Sequence, residues 1–104
     1  MSRPADLVQG TLDLLILKLL ALEPLNGFTI SIRLRQVSDG SLYPALHKLE
    51  HEGWIKAEWR RTDSGRRAKF YSLTAPGRRQ FRTEADQWQR LSGAITDLIR
   101  LESI

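Results

Sequence analysis

The stretch SLYPALHKLEHEGWIKAEWRRTDSGRRAKFYSL, residues 41–73, contains the two periods on which the fold depends. In its first half Leu42, Ala45, Leu46 and Leu49 recur at helical spacing as an inward stripe, which leaves Ser41, Tyr43, Pro44, His47, Lys48 and His51 on the outer surface. The helix is expected to begin near Asp39 or Ser41. Pro44 is tolerated because its missing N–H lies in or just beyond the unpaired first turn, and Gly53 ends the helix. From Trp54 the period changes. Residues 54–59 (WIKAEW) and 69–73 (KFYSL) are aromatic and β-branched runs on either side of Thr62-Asp63-Ser64-Gly65, which predicts a β-hairpin with a basic tip.

Upstream, Thr11 can cap a leucine-rich, largely buried helix running to about Leu22, where Glu23-Pro24 disfavours continuation. Asn26-Gly27 is a turn signal, after which Ile30, Ile32 and Leu34 fit a second helix. Downstream, Thr74 caps a last helix with Pro76 in its first turn. Along it, apolar residues recur at Phe81, Ala85, Trp88, Leu91, Ile95, Leu98 and Ile99. A stripe that long is more surface than one small domain covers, so it is expected to pair with a second copy. The predicted order is α-α-α-β-β-α: mainly α with a small β-hairpin, a winged helix-turn-helix over residues 1–74 and a long C-terminal dimerisation helix over residues 75–104, forming one structural unit.

With 104 residues, 41% of them hydrophobic, the chain is long enough for one compact core and too short for two. It has no cysteine, which excludes disulfides, thiolate nucleophiles and thiolate zinc sites, and makes an intracellular location the default. The longest apolar run, Leu12 to Leu22, is broken by Asp13 and Lys18 and falls short of the roughly 20 residues of a membrane span. No secretory signal is visible near the N-terminus. A cytoplasmic protein without membrane contact is expected.

Net charge is +4, and its distribution is informative. Between Trp54 and Leu73, six basic residues (Lys56, Arg60, Arg61, Arg66, Arg67, Lys69) stand against Glu58 and Asp63, so this segment carries the whole excess. In a winged helix the third helix enters a major groove and the hairpin lies along neighbouring phosphates. Arg66, Arg67 and Lys69 are therefore the candidate phosphate contacts of the wing, and Ser41, Tyr43, Pro44, His47 and Lys48 the candidate groove contacts on double-stranded DNA. A basic hairpin can also be no more than a solvated face, but its position directly after the third helix favours the DNA reading.

Seven segments in order resemble the PadR-type transcriptional regulators. They are Gly10 to Leu17, Gly27-Phe28, Gly40 to Leu46, Leu49-Glu50, Gly53-Trp54-Ile55, Arg66 to Tyr71, and Leu73-Thr74 to Gly77, which together reach across almost the whole chain. The short length and single C-terminal helix are similar to the compact branch of that family. The resemblance implies a winged-helix homodimer built through the last helix, usually a repressor released by a small, often aromatic, effector. It also makes Trp88 a candidate effector-stacking residue, although a packing aromatic at the dimer contact is the commoner role for such a position. Asn26 stands where the family often has histidine. Between Ile32 and Gly40 the chain is several residues shorter than the family pattern. Either a deletion tightens that turn, or a flexible loop is missing from the sequence as read; the second is preferred because the first takes length from the second helix.

Two other readings compete. His47-Lys48-Leu49-Glu50-His51 matches the H-x-x-E-H pattern of inverted zinc peptidases. No supporting domain supplies a cleft or a distal ligand, so no metal, cofactor or catalytic residue is expected. The stronger alternative is a winged helix that binds protein rather than DNA, since fold alone does not fix function. Operator, regulated gene, effector identity and the choice between repression and activation are not written in the residues.

Overall fold

The computed structural model describes residues 4–35 and 41–101, with side chains described from residue 11 onward. The elements run α1 (Pro4–Leu22), β1 (Leu25–Asn26), α2 (Gly27–Arg33), α3 (Leu42–His51), β2 (Ile55–Arg61), β3 (Arg67–Leu73) and α4 (Ala75–Arg100). Two features depart from the sequence reading. The first helix begins at Pro4 rather than Thr11, because proline at a first helical turn gives up no hydrogen bond and its fixed φ suits the helix. The hairpin is also part of a three-stranded antiparallel sheet in the order β1-β3-β2, with Leu25 opposite Tyr71 and Asn26 opposite Phe70. A two-residue strand is too short to show a period in the sequence. The alternative helix start at Asp39 and the short connection up to Gly40 fall in part outside the described residues.

Leu12, Ile16, Leu17 and Leu20 of α1 pack with Ile30, the α3 stripe Leu42, Ala45, Leu46 and Leu49, and Ile55, Tyr71 and Leu73 of the sheet in one buried cluster. Local signals fix the joints. Asn26 caps α2 by accepting the Thr29 amide at 2.7 Å. At the end of α3, Gly53 takes a φ of +78°, its amide donates to the Glu50 carbonyl at 3.0 Å, and the Trp54 amide donates to the Leu49 carbonyl at 3.1 Å. These two bonds form a Schellman cap, which requires a left-handed residue at Gly53 and turns the chain out of α3 into β2.

Thr74 ties the start of α4 to the same corner. Its amide donates to the Trp54 carbonyl at 3.1 Å, its hydroxyl donates to the Gly53 carbonyl at 2.6 Å, and the Gly77 amide donates to that hydroxyl at 3.0 Å. From there α4 runs for 26 residues, about 39 Å at the helical rise, well past the core. The radius of gyration is 16.1 Å, against about 13 Å for a compact domain of this length.

A Cβ added at Gly77 would sit 1.8 Å from the Trp54 carbonyl oxygen, a backbone atom. Alanine normally favours a helix interior by about 1 kcal/mol over glycine. Here the clash reverses the sign: Gly77→Ala is expected to lose about 3 kcal/mol of stability in urea unfolding, as over-packed sites do.

Candidate nucleic-acid interface

The outer surface of α3 carries Tyr43, Pro44, His47, Lys48 and His51 exposed, with Ser41 half-buried at its N-terminal cap. Tyr43 leans over the start of α2, where a Cβ at Gly27 would meet its ring at 3.4 Å. Lys48 is turned differently from the rest. Its ammonium donates to Asp13 of α1 at 2.5 Å, and Asp13's side chain is 7% exposed against 52% for Lys48. This hydrogen bond holds the ammonium above its ordinary value near 10.5, with the charges of Asp13, Glu84 and Glu52 adding to it and partial burial opposing it. The structure therefore brings Ser41, Tyr43, Pro44 and His47 together but directs the Lys48 charge toward α1 and α4.

The hairpin register explains what the wing presents. Ile55 pairs with Leu73, Ala57 with Tyr71, Trp59 with Lys69 and Arg61 with Arg67, and directly opposed residues share a face. Ile55, Tyr71 and Leu73 are buried in the core, so Trp59, Lys69, Arg61 and Arg67 continue the core face outward, past its edge. That is the side of α3, as the contact of Lys69 with Glu50 at 3.9 Å shows. The opposite face carries Arg60, which is bonded to Glu58 and lies over the Phe70 ring at 5.4 Å. The tip turns through Thr62–Arg66 with Gly65 at φ +84° and the Thr62 amide donating to the Arg66 carbonyl at 2.8 Å.

Of the wing residues expected from sequence, Arg66 and Arg67 are exposed and Lys69 is partly engaged with Glu50. Among the described residues, no carboxylate lies within ion-pair distance of Arg61, Arg66 or Arg67. Alternation from the buried Ile55 adds Arg61 to this face, beyond the wing contacts Arg66, Arg67 and Lys69 that charge alone suggests. The same alternation brings Trp59 there, 59% exposed, with the Arg67 guanidinium 5.4 Å from its ring.

On α4 the apolar stripe divides. Phe81 packs against the protomer's own core, with the Lys18 ammonium 5.9 Å from its ring, and Ala85 is half-buried. From Trp88 onward the stripe is exposed: Trp88, Leu91, Ile95, Leu98, Ile99 and Leu101. Trp88, Leu91 and Ile95 line an open, mostly apolar cleft of about 760 Å³ together with Leu14, Trp54 and the Asp13–Lys48 pair. Among the described residues no group of three or more His, Cys, Asp or Glu could hold a metal ion, and no helix is long and apolar enough to cross a membrane. Glu50, between His47 and His51, faces Lys69 instead.

A three-helix unit whose third helix lies beside a basic hairpin defines the winged helix-turn-helix class. Residues 16–83 match the model of the transcriptional regulator PadR-like family, and the chain belongs to that family of DNA-binding, non-catalytic regulators. Its fold is similar to that of a PadR-like transcriptional regulator of Bacillus cereus, at 26% identity and a TM-score of 0.85 over 93% of this chain and 99% of that one. A Streptococcus transcriptional regulator is similar at 26% identity and a TM-score of 0.83, over 90% and 97% of the two chains. Among curated proteins, an uncharacterised protein of Lysinibacillus sphaericus is 24% identical over 88% of this chain and 90% of its own length. A 37.1 kDa transposon protein of Streptomyces fradiae is 37% identical over 80% of this chain, which spans only 24% of that protein.

Lys48→Met removes the charged partner of a buried carboxylate. It is expected to lower stability by about 1–2 kcal/mol, the lower range for a charged hydrogen bond because Lys48 is half in water. A lysine whose folded pKa is raised contributes fully below its unfolded value and loses that contribution only as pH rises through the folded one. The wild-type advantage should therefore be equal at pH 7 and pH 9 in urea titrations and shrink above about 10.5.

Proposed function

We propose that the chain acts as a homodimeric, sequence-specific repressor whose operator is roughly palindromic and whose release is driven by a small aromatic effector. The observation that carries the DNA-binding part is the placement of Arg61, Arg67 and Lys69 on the α3 side of the wing, beside the exposed face of Ser41, Tyr43, Pro44 and His47. Phosphates along one groove edge and base edges inside it are then served by adjacent surfaces, with Arg66 at the tip adding a further phosphate contact. Lys48 joins the groove surface only if it exchanges Asp13 for a base or phosphate.

Residues 1–74 form the DNA-binding unit and residues 75–104 the dimerisation helix in this reading. The exposed stripe Leu91, Ile95, Leu98 and Ile99 gives a second copy of α4 an apolar seam, and a helix that projects beyond its own core has little else to bury. Phe81 and Ala85 support the base of that helix from within the protomer. If the two α3 helices enter successive major grooves, their half-sites lie about 34–36 Å apart. The repressor role is the usual one in the family, and the cytoplasm is where it would act. Trp88 at the wall of the apolar cleft is the proposed stacking surface for the effector. Release requires the effector to bind the free dimer better than the DNA-bound one.

The deciding experiment is fluorescence anisotropy of the full-length protein on its own upstream DNA and on a scrambled duplex across a salt series. The expected result is a preference of about 4 kcal/mol or more for the upstream DNA, with affinity falling steeply as salt rises. Replacing Arg66 and Arg67 together by alanine removes four charges from the dimer and should reduce the log–log salt slope by about 3.6 while sedimentation still reports a dimer. Equal, weak binding to both duplexes would leave a winged helix that binds protein. Leu98→Glu with Ile99→Glu should shift sedimentation equilibrium to monomer. A ligand that quenches Trp88 fluorescence without changing DNA affinity would refute the release mechanism.

A further inference from the structure

We infer that Trp59 is itself a DNA-contacting residue. Its indole, with the Arg67 guanidinium 5.4 Å from its ring, forms an apolar and cationic edge of the wing that lies against the deoxyribose rings and phosphates of one strand next to the groove entered by α3. This rests on the DNA-binding reading above and adds to it a contact that charge alone does not supply.

The first argument is position. Along the core face of β2 the order is Ile55, Ala57, Trp59, Arg61, and burial falls from Ile55, 2% exposed, through half-buried Ala57 to Trp59, 59% exposed. The core ends at Ala57, so the largest side chain of the strand stands one step outside it. A tryptophan needed to hold the hairpin together would be expected where it can be covered, and an amphipathic aromatic flanked by arginine and lysine has the chemistry of a contact with a polyanion's sugar and phosphate groups. Ladder pairing along β2 and β3 already fixes the hairpin from Ile55–Leu73 to Arg61–Arg67.

The second argument is company. Trp59 is opposed by Lys69, has Arg67 diagonally across the ladder at 5.4 Å, and is followed on its face by Arg61. A guanidinium attracted to an aromatic face keeps N–H groups available to reach a phosphate. Among the described residues, neither Arg61 nor Arg67 has a carboxylate within ion-pair distance. The third argument is direction: the Lys69–Glu50 contact sets this face of the wing beside α3, so a duplex seated on α3 meets Trp59 rather than the Arg60–Phe70 side.

The test uses the full-length dimer on the upstream duplex. Trp59→Ala is expected to weaken binding about tenfold while leaving the log–log salt slope unchanged, because an uncharged contact releases no counterion; Arg67→Ala, which removes one charge from each subunit, should lower the slope by about 1.8. Trp59→Phe, which keeps an aromatic face, should stay within about threefold of wild type, in line with the sequence tolerance of stacking contacts. In protein carrying 5-fluorotryptophan, the fluorine resonance missing from Trp59→Phe identifies Trp59. On saturation with duplex that resonance should shift and lose its H2O/D2O solvent effect, a readout that holds even where the alanine variant does not fold. Wild-type affinity in a folded Trp59→Ala dimer, or a Trp59 resonance unmoved at saturation, overturns the inference while DNA binding stands. Wild-type protein that binds no duplex at all overturns both.

Discussion

The Trp54 carbonyl accepts the amide of Thr74 at 3.1 Å, and the Cα of Gly77 is pressed against the same peptide group. Three parts of the molecule meet at this corner: α3 ends there, the wing departs from it and returns to it, and α4 begins on it. The Schellman cap at Gly53 sets the direction in which β2 leaves α3. The Thr74 hydroxyl, donating to the Gly53 carbonyl and accepting the Gly77 amide, sets where α4 starts. The angle between α3 and the long terminal helix is thus fixed by backbone groups a few residues apart. Side chains of the core then hold the corner in place.

Much of this was legible in the sequence for local reasons. The α3 stripe, the glycine stop, the change to aromatic and β-branched residues and the Thr74–Pro76 start are each decided within one turn or one strand. What escaped reading was long-range. The strand Leu25–Asn26 exists only because Tyr71 and Phe70 offer it a partner. Lys48 has the spacing of an outward residue, yet it turns because α1 places the buried Asp13 carboxylate within its reach, 35 residues earlier in the chain. Phe81 begins a heptad-like series with Trp88 and Ile95, but α1 covers the first member and leaves the others exposed. Arg61 and Trp59 become legible by strand alternation once the buried Ile55 sets the phase.

The two exposed surfaces differ in chemistry. The α3 and wing side is polar and cationic, with a single large aromatic side chain on the wing, whereas the distal half of α4 offers leucine and isoleucine with little charge along the seam. The open cleft lies between them and is lined from both: Lys48 belongs to α3, Trp88 to α4, and Asp13 to the helix that packs on each. A molecule seated there would touch α1, α3 and α4 at once.

The turning of Lys48 also bears on how proteins of this design diversify. With Leu42, Ala45, Leu46 and Leu49 in the core and Lys48 engaged with α1, the outward side of α3 is reduced to Ser41, Tyr43, Pro44, His47 and His51. Tyr43 is further constrained by its contact with the start of α2. Adapting such a scaffold to a new target sequence therefore has few positions to work with, and most of the freedom lies at the solvent-facing ends of the helix and along the wing. Descendants that diverged in what they recognise would be expected to differ there while keeping the Gly53–Trp54–Gly77 corner intact.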